Sequence, residues 1–296
     1  LLKTVVDVGV PALVFSAMAV VGMDLTADDF RRVARQPATV LVATAGQLVL
    51  LPAIGWLLVH SLRLQPAIAQ GVLLVAACPG GAMANVYTYL ARGNVALSVT
   101  LTAVSCLAAA LTTPLALAVL QAQDGESTGF PVPYGVLTGQ LVLLLVLPVL
   151  SGMGIRRRWP DLTRRHARTL LGFSVATLAA LLGFIIVQEA EQFASALTDL
   201  ATAAGALTVL AFGAGWATGW ACATGATDRF TVGMVFVVRN VGISTAIAVT
   251  ALGRVEFAVF ATAYFLAQVP LLLAVVVVFR WTRPGDGSNL PGADRR

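Results

Sequence analysis

Continuous apolar runs alternate along the chain with short polar stretches, and each run is about as long as the ~20 residues that a helix needs to cross a bilayer. They fall at roughly 4–23, 37–59, 67–91, 95–119, 132–154, 169–188, 196–223, 229–252 and 257–281. Between them, 24–35 is charged, 121–133 is rich in Gly, Pro and acids, 156–168 is basic, and 189–199 carries three acids and no Lys or Arg. These connecting stretches read as loops. The runs show no period-2 alternation, so strands are excluded and about nine transmembrane helices are expected.

Two runs are interrupted at mid-depth. Segment 67–91 contains Cys78-Pro79-Gly80-Gly81, followed at once by the polar Asn85. Proline removes a backbone donor and crowds the preceding turn, and glycine loosens the helix further. Segment 229–252 contains Val238-Arg239-Asn240-Val241-Gly242. Unwound backbone at this depth survives only against protein or a water-filled cavity. Paired interruptions of this kind point to the substrate site of a transporter, where half-helix N-termini can face anionic groups. A packing kink is the alternative.

Composition agrees with this picture. Of 296 residues, 58% are hydrophobic and 11% charged, with a mean hydropathy of +0.87. So few charges could not cover a soluble surface, and a nucleic-acid module is excluded. The three cysteines (Cys78, Cys106, Cys222) and two histidines (His60, His166) form no cluster, so neither disulfide nor zinc is expected. An intramembrane enzyme would need paired mid-span acids or a Ser/His pairing. Neither is present, and no catalytic residue is assigned.

The charges are informative by position. Alternating the spans puts 15 of the 19 Lys and Arg on one side and only Lys3, Arg63 and Arg254 on the other. The positive-inside rule then places the N-terminus outside and the C-terminus in the cytoplasm. The expected location is the inner (plasma) membrane, as a multi-pass protein. Arg239 belongs to neither side. All 14 acids lie in loops or at span ends, and Asp228 is about 16 Å back along a helix. The counter-charge is therefore sought in the substrate, the alternative being backbone carbonyls freed by the breaks.

The string CPGGAMANVYTYLARGNVALSVTLTAVS at 78–105, with Gly22-Met23, Asp29-Phe30, Gln47, Pro52, Thr113-Pro114 and Asn240-x-Gly242, resembles the bile acid:sodium symporter family over most of the chain. The resemblance implies an all-α polytopic membrane protein, an inverted-repeat transporter with panel and core domains and two broken helices crossing in the core. The repeats would be 1–120, four helices with the first family helix missing, and 131–282, five helices; 283–296 would be a disordered tail. The implied activity is secondary-active transport of an organic anion, such as a bile acid, sulfated steroid, keto acid or pantoate, by alternating access. Partners would be that small organic anion and the lipid bilayer; the oligomeric state is not readable.

Expected substrate-binding residues are Pro79, Gly80, Gly81, Asn85, Arg239, Asn240 and Gln268. Carried over from the resemblance, a residual cation site would use Asn85, Ser98, Thr102 and Gln47, whose amide and hydroxyl oxygens suit a hard cation. The chain departs from the family at three positions. Ala84 replaces a Ser, Val235 replaces an acid shared between two sodium sites, and Arg239 replaces a Gln. Arg239 is accordingly expected to substitute for a bound sodium, making transport sodium-independent. No cofactor is expected and no metal beyond sodium, which stays open as a single weak site. A sodium-coupled symporter, a channel and a non-transporting sensor remain alternatives. Gly215 and Gly219 form a GxxxG spacing read as close helix packing.

Overall fold

A computed structural model describes residues 9–26, 31, 37–124 and 134–282. Among these residues the secondary structure is helical, apart from one isolated β-bridge. The elements are α1 (Val10–Asp24), α2 (Pro37–Leu62), α3 (Pro66–Ala77), α4 (Met83–Leu90) and α5 (Val95–Asp124). They continue with α6 (Tyr134–Arg158), α7 (Pro160–Arg165), α8 (Ala167–Gln188) and α9 (Ala190–Ser195). The last four are α10 (Leu197–Ala221), α11 (Ala226–Val237), α12 (Val241–Ala251) and α13 (Ala258–Trp281).

Among the described residues, five helical stretches are long and apolar enough to cross a membrane: Pro37–Leu62, Val95–Leu120, Tyr134–Arg158, Leu197–Ala221 and Val255–Trp281. Their outward faces expose large aliphatic side chains, among them Leu111, Val209 and Val278. An apolar surface of this extent belongs against lipid. The expected tail at 283–296 lies outside the described residues.

Two sets of close helix contacts stand out, joined by α5 packing on α6. In one, α1 lies against α6 and α8. The α1–α6 contact is backbone on backbone. A Cβ on Gly22 would fall 2.2 Å from the Val149 carbonyl oxygen, and one on Gly152 would fall 2.0 Å from that of Ala19. In the other group, α10 packs on α11, α2 and α13, and α5 packs on α2 and α11. The Gly215/Gly219 spacing does bring backbones together: Gly215 meets the Cα of Gly233, and Gly219 meets Arg229 on α11. In a bilayer, where tails are as apolar as Leu, such van der Waals fit is what holds helices together.

Two stretches read as loops are helical. The basic stretch continues α6 to Arg158, then forms α7 and the start of α8. The acidic stretch forms α9 and the start of α10. Loss of hydropathy marks where a chain leaves the hydrocarbon, not where its helix ends. With Pro160 at an N-terminal position, where it is tolerated, nothing in 156–168 forbids helix. Helix α5 likewise runs past its apolar segment to Asp124. Short π-helical turns at Val142–Val146 and Ile247–Ala251 had no signal in the hydropathy pattern.

A methyl group at Gly152 has no room, whereas one at Gly172 meets nothing within 4 Å. Gly152→Ala should therefore lower stability by about 3 kcal/mol, the upper end of overpacking costs, and Gly172→Ala should be neutral. Melting of the two purified variants by intrinsic fluorescence checks this; equal melting temperatures would refute the close α1–α6 contact.

Candidate functional site

The two breaks have different local causes. Helix α3 makes its last regular bond from Cys78 N–H to the Leu74 carbonyl at 3.0 Å. The next residue, Pro79, has no N–H to offer, and Cys78 is extended (φ −67°, ψ 156°) as a pre-proline residue prefers. Helix α11 contains no proline. It ends where Asn240 starts a new helix, its Oδ1 accepting from Ile243 N–H at 3.2 Å as an N-cap.

The broken segments cross and pair with each other. Gly80 and Arg239 form an antiparallel bridge, with Gly81 N–H donating to the Val238 carbonyl at 2.7 Å and Asn240 N–H to the Pro79 carbonyl at 2.9 Å. Side chains from neighbouring helices satisfy the remaining backbone. Ser105 Oγ accepts from Gly80 N–H at 3.3 Å, Thr113 donates to the Ala77 carbonyl at 2.8 Å, and the Tyr264 hydroxyl donates to the Val237 carbonyl at 2.5 Å. Polar backbone far from water requires this full accounting.

Arg239 completes the crossing. Its side chain is buried, only 3% exposed. One guanidinium nitrogen lies 3.4 Å from Gln47 Oε1 and the other 3.3 Å from the Ala76 carbonyl. That carbonyl would ordinarily accept from Gly80 N–H, which has turned to Ser105 instead. The guanidinium thus sits at the C-terminal, negative end of the α3 dipole. Among the described residues no carboxylate bonds to it. Arg239 Nε and Gln47 Nε2 are both buried without a partner.

In front of the crossing lies a cavity of about 160 Å³. It separates α1 and α8 of one helix group from the breaks and α13 of the other. Its walls are mostly apolar, with Val14, Met18, Leu178, Leu181 and Phe265 prominent. Of the residues singled out in the sequence, Gly81, Asn85, Arg239, Asn240 and Gln268 line it. Pro79 and Gly80 do not; Gly80 faces Gln47, Ser105 and Val235 behind the crossing. The Asn240 amide lies 3.3 Å from Met18 Sδ. Gln268 is buried and its Oε1 has no partner. In the expected cation site, Ser98 Oγ donates to Asn85 Oδ1 at 2.7 Å, Thr102 Oγ1 is buried without a partner, and Gln47 is engaged by Arg239.

The bonds that Ser105, Thr113 and Tyr264 make to the broken backbone were not read from the sequence, where Ser105 and Thr113 entered only as part of the resemblance. Each is a polar side chain in an apolar run, a weak signal shared with many residues that only bond within their own helix. The two adjacent glycines also differ in a way that sequence does not show. A Cβ on Gly81 would lie 2.8 Å from the Arg239 carbonyl oxygen, whereas one on Gly80 would make ordinary contacts near 3.4–3.5 Å. Gly81→Ala should separate the crossing strands and lower thermal stability by about 2 kcal/mol, while Gly80→Ala should change it by well under ~1 kcal/mol. Melting curves of both variants decide; a harmless Gly81→Ala would refute the close approach.

A family model described as the sodium bile acid symporter family matches residues 11–196. YocS of Bacillus subtilis (strain 168), an uncharacterized sodium-dependent transporter, is 33% identical over 181 residues, 60% of this chain and 55% of its own length. A probable chloroplastic sodium/metabolite cotransporter of Oryza sativa subsp. japonica, BASS1, is 38% identical over 174 residues, 59% of this chain and 42% of its own. The Homo sapiens ileal sodium/bile acid cotransporter is 28% identical over 203 residues, 68% of this chain and 57% of its own. The chain spans about half the length of the curated relatives it matches. With the family model covering more than half of the residues, the first crossing segment included, the chain belongs to the sodium bile acid symporter family.

Proposed function

We propose that the protein is a secondary-active transporter of a small organic anion, and that Arg239 stands permanently where the family resemblance implies a bound sodium. The observation that carries this reading is the guanidinium of Arg239 against Gln47 Oε1. Where the family has a shared acid, the chain has the fully buried, apolar Val235. Sodium at Gln47 would lack a carboxylate to offset dehydration and would meet a fixed positive charge. These residues do not fit a sodium ion. Transport would then run without sodium, down the anion gradient, by exchange or with protons.

The position of the cavity supports alternating access. It lies between α1 and α8 on one side and the breaks and α13 on the other, so movement of α1 and α8 against the crossing would open it on alternate sides. With the N-terminus outside and the C-terminus in the cytoplasm of a plasma-membrane protein, a cavity lined by α1 from Val14 to Asp24 would lie toward the cytoplasmic half. The inverted repeats would be 1–120 and 131–282. Apolar walls with the amides of Asn85 and Gln268 suit an amphipathic anion, and the first turn of α4 presents a positive dipole end to it. Bile acids and metabolites appear in the names of relatives; a bile-acid-like compound, steroid sulfate, keto acid or pantoate-like acid is the substrate class. Arg239 would act on the anion through the low-dielectric crossing rather than by direct contact. The role assigned is transport, not catalysis.

One observation favours a second reading. Asn85, Ser98 and Thr102 remain together at the expected first cation site, and the Thr102 hydroxyl oxygen is unpartnered, so a single weak sodium site would make the protein a sodium-coupled symporter. A thermal-shift screen of bile salts, steroid sulfates, keto acids and pantoate in sodium gluconate and in choline gluconate separates the two. The expected result is stabilisation by at least one anion in both media, equal uptake of that anion into proteoliposomes in both, and an uptake loss of about tenfold or more in Arg239→Gln, equivalent to ~1.4 kcal/mol. Strict sodium dependence would sink the tethered-cation reading.

A further inference from the structure

We infer that Arg239 and Gln47 together hold a small inorganic anion, a halide such as chloride, on the Gln47 side of the crossing. Charge is the first ground. The guanidinium is buried, and its two partners, Gln47 Oε1 at 3.4 Å and the Ala76 carbonyl at 3.3 Å, are both neutral and at the long edge of hydrogen bonding. Among the described residues no carboxylate bonds to it. A buried charge needs a partner and saturated hydrogen bonds.

The second ground is the polarity of the leftover groups. Arg239 Nε and Gln47 Nε2 are buried N–H donors without a partner, on two side chains already in contact. Thr44, one helical turn before Gln47 on α2, adds a buried hydroxyl also without a partner, which can donate. A cation would oppose these donors. A water would satisfy donors but leave the charge. A monovalent anion answers both needs. On the cavity side the unpartnered atom of Gln268 is its Oε1, so the amide nitrogen is the end that can face an anion. The apolar surroundings of the rear face, Val235 against Gly80 among them, favour a weakly hydrated halide over sulfate or phosphate, which need more donors.

The site rests on the charge and geometry of Arg239, not on sodium-independent transport, and the experiment keeps them separate. Purified full-length protein in halide-free gluconate buffer is titrated with choline chloride, choline bromide and sodium chloride while its melting temperature is followed. The expected result is a saturable rise with each halide, the same with sodium or choline. In Gln47→Leu, which loses one donor and keeps the buried guanidinium, the half-saturating concentration should rise about tenfold or more. Crystals grown in bromide should show anomalous density within hydrogen-bonding distance of Arg239 Nε. A wild-type protein that melts cooperatively with no response to halide beyond that to gluconate overturns the inference. So does bromide density that avoids Arg239. A rise that requires sodium refutes it too, and would instead favour the symporter reading.

Discussion

Inside a bilayer, backbone N–H and C=O groups that leave a helix must find partners within the protein. Here two helices break at the same depth, and the unwound pieces satisfy each other first. The bridge between Gly80 and Arg239 is only two hydrogen bonds wide, yet it sets the rest of the site. It fixes where α4 and α12 begin, and so which dipole ends face the cavity. It also demands that Gly81 have no side chain, because the Arg239 carbonyl occupies that space. And it decides which carbonyls remain for Ser105, Thr113, Tyr264 and the guanidinium to address.

The crossing separates two chemical environments. In front are apolar walls, two amides and the first turn of α4, facing a cavity between helix groups. Behind are the C-terminal end of α3 and a guanidinium that neutralises part of its dipole. The helix groups themselves are held by close backbone contacts, Gly22 with Gly152 in one and Gly215 with Gly233 in the other. At these contacts the backbones leave no room for a side chain.

Hydropathy carried the sequence reading far, because apolar length and broken periodicity are local properties. The helices of the membrane region, the two interruptions and the anomaly of Arg239 all follow from residues near one another in the chain. The resemblance rested on the string at 78–105, which lies within the family match at 11–196. The second break, with Val235 and Arg239, lies beyond that match, and there the departures from the family concentrate. Where the sequence was silent, long-range geometry was responsible. Gln47 and Arg239 are 192 residues apart, and nothing local shows that Tyr264 bonds to the end of α11 or that Gly81 rather than Gly80 meets the opposing backbone. The helical form of 156–168 was missed for a different reason, since polarity was read as a loop when it marks only contact with water.

Arg239 was open to two interpretations at the outset, a charge awaiting a substrate or a cap on freed carbonyls, and its geometry joins them. A long side chain in a membrane usually relieves its charge by reaching for the interface. Arg239 cannot, because its own backbone is pinned in the bridge and its guanidinium is turned back onto Ala76 and Gln47. Capping one carbonyl satisfies one donor but leaves nearly the whole charge in place, since the end of a helix dipole is worth roughly half an elementary charge and is partly shared with other donors. The residual positive field must be answered by something that can come and go, or by something held beside it. In either case the crossing carries a fixed positive charge on a residue that cannot dissociate, and such a charge repels a cation and attracts an anion.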